Sequence, residues 1–77
     1  MRVDVFEKST SNSIAEELEM PCAPQVGSIL EFVHTGGMVD RYRVVGVDHA
    51  FEVRTVGEAV KEMETTHIAV VCMVESC

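Results

Sequence analysis

Positive charge is scarce in this sequence of 77 residues. Six Lys and Arg stand against 13 Asp and Glu, which gives a formal net charge of −7. Phosphate groups and anionic lipid headgroups are repelled by such a surface, so we expect no direct binding of DNA, RNA or a membrane. The acidic residues would keep a small domain soluble, but a mimic of nucleic acid that occupies a partner's basic groove stays an alternative.

Long apolar runs and breaker residues are scarce as well. No segment reaches the ~20 apolar residues of a membrane span, and the opening MRVDVFEKST lacks the apolar run of a signal peptide. With two Pro, five Gly and 47% hydrophobic residues, the composition is that of a folding chain. Three cysteines, an odd number, favour reduced thiols, so we expect a cytoplasmic protein.

The motifs of catalytic and metal sites are missing too. The sequence has no Cys-x-x-Cys and no His-x-x-x-His, its serines have no nucleophile-elbow context, and Gly36-Gly37 is not followed by the lysine of a phosphate loop. We therefore predict no catalytic residue, no metal and no cofactor.

The three histidines, His34, His49 and His67, fall near predicted strand ends. In a rolled sheet two of them could meet at one rim, and with Cys72 or a nearby aspartate they could bind a transition metal. Because no close ligand pair has a recognised spacing, rim histidines bonded to loop backbone are the better interpretation. On that interpretation His49 is only the last residue before a turn.

Period-two alternation predicts most of the fold. It marks strands in MRVDVFE, SILEFVH and RYRVVGVDH, while the closing THIAVVCMVE is apolar on both faces and is expected to be a central strand buried on both sides. AFEVRTV either continues the fourth strand or pairs back on it. Gly36-Gly37 indicates a hairpin turn, and Gly46 in mid-strand indicates a bulge or bend.

Two segments carry helical signals. Ser13 and Glu16 have the spacing of a capping box, but residues 13–20 follow a strand after one turn and fit better as the second arm of a hairpin. The apolar residues from Val56 to Met63 fall at helical spacing and predict a short helix near residues 56–64.

The expected fold is mainly β. Residues 1–77 form a single domain, a small antiparallel barrel or rolled sheet of five to six short strands of the SH3-like kind. A domain of this size buries only ~60% of the surface of its unfolded chain, so oligomerisation is an expected remedy.

Three stretches, PQVGSILEF, YRVVGVDH and HIAVVCMVE, give the chain a family resemblance. It resembles small uncharacterised β-barrel proteins encoded by phages and mobile gene cassettes of the integron type. The resemblance covers about two thirds of the chain and implies a small SH3-like barrel without an assigned activity. The residues that carry it are Pro24, Val26, Gly27, Tyr42, Val44, Val45, Val47, His49 and those from Val70 to Val74.

Arg41, Tyr42, Arg43 and His49 are the candidate ligand-binding residues. Arginine offers a planar fork suited to carboxylate or phosphate, although pairing with the abundant acids across the sheet is the simpler interpretation. We expect a non-enzymatic acidic binding module that acts on a protein partner, and that functions as a homo-oligomer or as an accessory protein of a mobile element. The alternative is an oligomeric ligand binder or enzyme whose site, lined by these four residues, lies between subunits.

Overall fold

The computed structural model describes residues 1–55, 57 and 63–77, and all regular structure in these residues is β-strand. The strands are β1 (Arg2–Glu7), β2 (Ser13–Glu19), β3 (Ile29–Val33), β4 (Val39–Thr55) and β5 (Met63–Ser76). They form one sheet in the order β2-β1-β5-β4-β3, which curls into a half-barrel. The prediction of a small, mainly β fold built on a rolled sheet is confirmed.

Neighbouring strands run antiparallel, with the exception of β1 and β5, which are parallel. The hairpin predicted for residues 13–20 is confirmed, because β2 pairs with β1 from Phe6↔Ser13 to Arg2↔Glu19. Gly36 and Gly37, with φ of 102° and 92°, form the turn between β3 and β4, a backbone conformation that favours glycine. The parallel pair arises because the last strand inserts between β1 and β4.

The hydrophobic core lies at the end of the sheet where all five strands overlap, a region that we call the base. Val3 pairs with Val70 and Val5 with Cys72, so their side chains project from the same face of the sheet. Half-buried residues of β2, β3 and the segment between them cover this face. The buried core residues are Val3, Val5, Val44, Val70, Cys72 and Val74, and the covering residues include Ile14, Ala15, Leu18, Met20, Ala23 and Leu30.

The closing strand β5 is central, as predicted, with β1 on one side and β4 on the other. Its burial differs between the two faces. Val70, Cys72 and Val74 are fully buried, whereas Val71 and Met73 on the other face are only half-buried. The prediction that both faces are buried is therefore confirmed for the first face and holds only in part for the second, where Ala69 is 6% exposed. The described strands form a single curled layer, and the residues that pack on the core cover its first face.

A β-bulge interrupts β4 near its middle. The register against β5 shifts between Val44 and Gly46, which leaves Val45 as the extra residue and confirms the predicted bulge. A Cβ at Gly46 would lie 3.6 Å from the Cβ of Met73, an ordinary contact distance, so space alone does not require glycine there. β4 continues beyond the bulge to Thr55, and the prediction that His49 ends the strand is therefore wrong.

Beyond the base, β4 and β5 pair with each other and with no other described strand. β3 pairs with β4 only from Val39 to Arg43, and β1 pairs with β5 only from Val70 to Val74. Residues 49–55 and 63–68 thus form a two-stranded ribbon, which we call the arm. The molecule is 55 Å long, and its radius of gyration of 15.9 Å exceeds the ~11 Å of a compact domain of this length.

The predicted short helix near residues 56–64 falls mainly on residues 56 and 58–62, which lie outside the described residues. Its last two positions, Met63 and Glu64, belong to β5 and pair with Thr55 and Arg54. At these two positions the helix prediction is wrong, because antiparallel pairing with the end of β4 satisfies their backbone groups instead.

Candidate functional site

The arm has two chemically different faces. Strand register sets them, since directly paired residues share a face and successive residues alternate. We call the face that continues the core face of the base the inner face, and the opposite one the outer face. The inner face presents His49, Phe51, Val53, Thr55, Met63, Thr65 and His67.

The inner face is solvent-exposed, and three of its seven side chains are apolar. Phe51, Val53 and Met63 are 54%, 58% and 63% exposed. Among the residues of the inner face there is no carboxylate, lysine or arginine, although the chain as a whole carries a net charge of −7. An uncharged apolar strip on an acidic protein is the kind of surface that marks an interaction site.

A pair of histidines lies where the arm leaves the base. Nδ1 of His49 is 3.1 Å from Nε2 of His67, and the ring of Phe51 lies 5.1 Å from that of His67 between centroids. One imidazole donates its N–H to the unprotonated nitrogen of the other, so each ring fixes the orientation of its neighbour. The three rings form an ordered aromatic group at the root of the strip.

The register makes this group possible. Ala50 pairs with Ala69 and Phe51 with His67, which leaves Ile68 as an extra residue in β5. The shift brings His67 directly opposite Phe51 and diagonally opposite His49, within side-chain reach of both. The sequence analysis anticipated that two histidines could meet, and His49 and His67 do, in mid-strand and not at a strand end.

The outer face of the arm is charged. Nη2 of Arg54 lies 3.0 Å from Oε2 of Glu64, and both side chains are more than half exposed. Glu52 lies on the same face, opposite Thr66. Exposed cross-strand pairs of this kind are typical of a solvated surface, so the arm is amphipathic, with its apolar side inward and its charged side outward.

The four predicted ligand-binding residues do not lie on one face. Arg41 and Arg43 project from the opposite face of β4 to Tyr42 and His49. Nε of Arg41 lies 3.7 Å from Oε1 of Glu31, the cross-strand pairing that the abundance of acids suggested. Tyr42 packs edge-on against Phe32 at 5.9 Å between ring centroids. A ligand-binding set of all four residues between subunits stays a prediction.

The third histidine lies elsewhere. Nε2 of His34 is 2.7 Å from Oδ2 of Asp40 at the β3–β4 turn, whereas His49 and His67 lie at the root of the arm, beyond the bulge in β4. Within residues 1–55, 57 and 63–77, no group of three or more His, Cys, Asp or Glu side chains is arranged to hold a metal ion. The same residues enclose no cavity.

One buried carboxylate, that of Asp4, was not apparent from the sequence. Asp4 alternates away from the core face as predicted, but it is only 9% exposed. It accepts a 2.8 Å hydrogen bond from the backbone N–H of Glu17, whose φ is +56°, and contacts Arg2. These donors hold the pKa of the Asp4 carboxyl below its ordinary value, the Glu17 N–H contributing most. Asp4 fixes the irregular pairing of β1 with β2.

The three cysteines differ in their exposure. Cys72 is buried in the core, which raises the pKa of its thiol, and Cys77 is exposed. Cys22 is exposed as well, and all three thiols are free. Burial among apolar side chains makes Cys72 a core residue and not a reactive one.

Comparison with known proteins identifies no relative of the chain. No protein-family model, no curated protein and no solved structure matches the chain. In the part of the chain that the structure describes, no helix has the length and apolar character needed to cross a membrane.

Proposed function

We propose that this chain is a non-enzymatic binding module that docks a protein through the inner face of its arm. The observation that carries the proposal is the exposure of Phe51, Val53 and Met63 on a face that is continuous with the buried core face. Aromatic and aliphatic side chains of this kind anchor protein interfaces once they are removed from water.

The charge distribution favours a protein as the ligand. The inner face offers no cation to a phosphate group, and the net charge of −7 repels nucleic acids and anionic lipids over the distance of approach. A partner protein whose surface is apolar and uncharged at its centre would complement the inner face of the arm. The carboxylates of the outer face then stay in water, where they keep the module soluble.

The biological setting follows from the resemblance given above. We propose that the module works in the cytoplasm as an accessory protein of a mobile element. The resemblance carried by YRVVGVDH and HIAVVCMVE, now placed on β4 and β5, supports this setting. It assigns no residue a role.

The mimic of nucleic acid is the weaker proposal. Such a mimic needs a strip of carboxylates at phosphate-like spacing. On the outer face of the arm, Glu52 and Glu64 lie beside Arg54, which pairs with Glu64 at 3.0 Å. A cation beside both carboxylates does not fit such a strip.

The proposed docking face is tested by photocrosslinking in the cell that makes the chain. A benzophenone derivative of phenylalanine replaces Phe51 on the inner face, and the same residue replaces Glu52 on the outer face as the matched control. We expect covalent adducts with a protein, identified by mass spectrometry, from position 51 and not from position 52. Equal adducts from both positions, or none from position 51, would overturn the proposal.

A further inference from the structure

The accessible surface of the chain is too large for a compact monomer. It measures 5606 Å², whereas a globular protein of 8.5 kDa exposes roughly 4,650 Å². The excess of about 950 Å² is close to the ~800 Å² that each partner buries in a standard interface. The chain therefore exposes about as much additional surface as one stable interface would cover.

The arm is one of the regions that expose this surface. Beyond the last pairing of β1 with β5 at Val70, the hairpin is a two-stranded ribbon, and its residues from Phe51 to Thr55 and from Met63 to Ile68 are exposed. A two-stranded ribbon is marginally stable in water unless further strands or another layer cover its apolar face. The geometry calls for a covering layer along the inner face.

From these observations we propose that the covering layer is a second copy of this chain, whose own arm packs face to face against the first about a two-fold axis. This inference rests on the proposed function and names the partner. Two arms packed in this way form a four-stranded sandwich, with layers ~10 Å apart and Phe51 and Val53 of each copy between them.

Charge does not oppose a second copy on the inner face. Two chains that each carry −7 repel one another wherever their acidic surfaces meet. Among the described residues of the arm the inner face carries no carboxylate, since Glu52 and Glu64 both lie on the outer face. Two copies of this acidic chain can therefore bring their inner faces together without placing like charges next to each other. A partner selected by charge would instead be basic and would prefer the acidic surfaces.

The shape of the strip suits a two-fold arrangement. It carries the aromatic group of His49, His67 and Phe51 at its root and the flexible side chain of Met63 near its tip. In an antiparallel pair each aromatic group faces Met63 of the other arm, so the same contacts form twice, as a closed dimer requires.

The test uses neighbouring threonines on opposite faces of β5. Thr65 lies on the inner face opposite Val53, and Thr66 lies on the outer face opposite Glu52, and both are exposed. Thr65→Lys places a charge in the proposed interface, whereas Thr66→Lys places it in solvent beside a carboxylate. Both variants change the net charge equally. A difference between them therefore reports the effect of placing the charge on the inner face and not the effect of the charge itself.

Light scattering during size-exclusion chromatography gives the readout. We expect the unchanged chain and Thr66→Lys to show twice the mass of 8.5 kDa at micromolar concentration, and Thr65→Lys to show the single mass. Circular dichroism verifies that each variant keeps its strands. Should Thr65→Lys lose them, Phe51→Ala takes its place, and the same loss of mass is expected.

Two results would overturn the inference. One is a monomeric unchanged chain across the micromolar range, and the other is a dimer that Thr65→Lys leaves intact. The photocrosslinks from position 51 then decide the proposed function separately. An adduct with a different protein would keep the proposed function and remove only the second copy, whereas no adduct would remove both.

Discussion

Val44 and Val53 lie on the same strand and project from the same face of the sheet, yet they have opposite environments. Val44 is fully buried in the base, and Val53 is 58% exposed on the arm. Both belong to stretches that alternate with a period of two, so the local pattern of the two regions is the same. The difference is in what covers them: β2, β3 and their connection cover the base, and within the described chain nothing covers the inner face of the arm.

This difference implies that the two regions depend on different contacts. The base is held by its own chain, so its stability is independent of protein concentration. If the arm is covered by a second copy, its order depends on association and therefore on concentration. The predictions that follow test this division, beginning with the largest effect.

The same substitution at Val44 and Val53 is expected to separate the two regions. Val44→Asp buries an unpaired carboxylate in the base and costs ~4 kcal/mol or more, enough to unfold a domain of this size. Val53→Asp changes the free energy of unfolding by about 0.5 kcal/mol or less at a dilution where the chain is monomeric. Urea titration followed by circular dichroism measures both values.

A milder variant keeps the measurement quantitative if Val44→Asp does not fold. Val44→Ala removes two methyl groups from the core and is expected to cost about 2 kcal/mol. An equal loss of stability for Val53→Asp and Val44→Ala in the dilute chain would show that the arm is already packed within the monomer, and the division between the two regions would fail.

The next largest change in the free energy of unfolding is expected for a substitution of Asp4 in the base. Its pKa is held below the ordinary value of 3.8, first by the backbone N–H of Glu17 and then by Arg2. A carboxyl whose pKa is lower in the folded state than in the unfolded state stabilises the fold. This contribution is complete when the pH is above the pKa of the unfolded state, and it is lost as the pH falls through the pKa of the folded state. Asp4→Asn keeps an acceptor but loses the charge, at a cost of about 1–2 kcal/mol at neutral pH.

The pH dependence distinguishes this contribution from a general loss of packing. The unchanged chain should lose stability as the pH falls below ~3.8, and Asp4→Asn should lose less of it over that range. Glu16→Gln, which changes an exposed carboxyl on β2, is the control and should follow the unchanged chain. Identical acid profiles for Asp4→Asn and the unchanged chain would contradict the role given to Asp4.

The base was the more predictable of the two regions. Alternation in MRVDVFE, the turn at Gly36-Gly37 and the bulge at Gly46 are all local signals, and all were present in the sequence. Local signals do not specify which strands pair across the sheet. The parallel pairing of β1 with β5 joins the two ends of the chain, and no turn connects them to reveal it.

The candidate site was less predictable, for a physical reason. The alternation of Phe51 and Val53 with Glu52 and Arg54 was visible, but it predicts an apolar face without stating whether the chain covers that face. His67 was recognised as one of three histidines, and its contact with His49 depends on the register shift at Ile68. A one-residue shift in register is not encoded in any pattern that the sequence displays.

The smallest effect is expected on the outer face of the arm. Arg54 and Glu64 are 72% and 57% exposed, so water screens their 3.0 Å contact and Arg54→Ala should change stability by about 0.5 kcal/mol or less. A double-mutant cycle with Glu64→Ala isolates the coupling between the two side chains. A coupling well above ~1 kcal/mol would mean that the pair is removed from water. The outer face would then be the covered one, and the assignment of the two faces of the arm would have to be reversed.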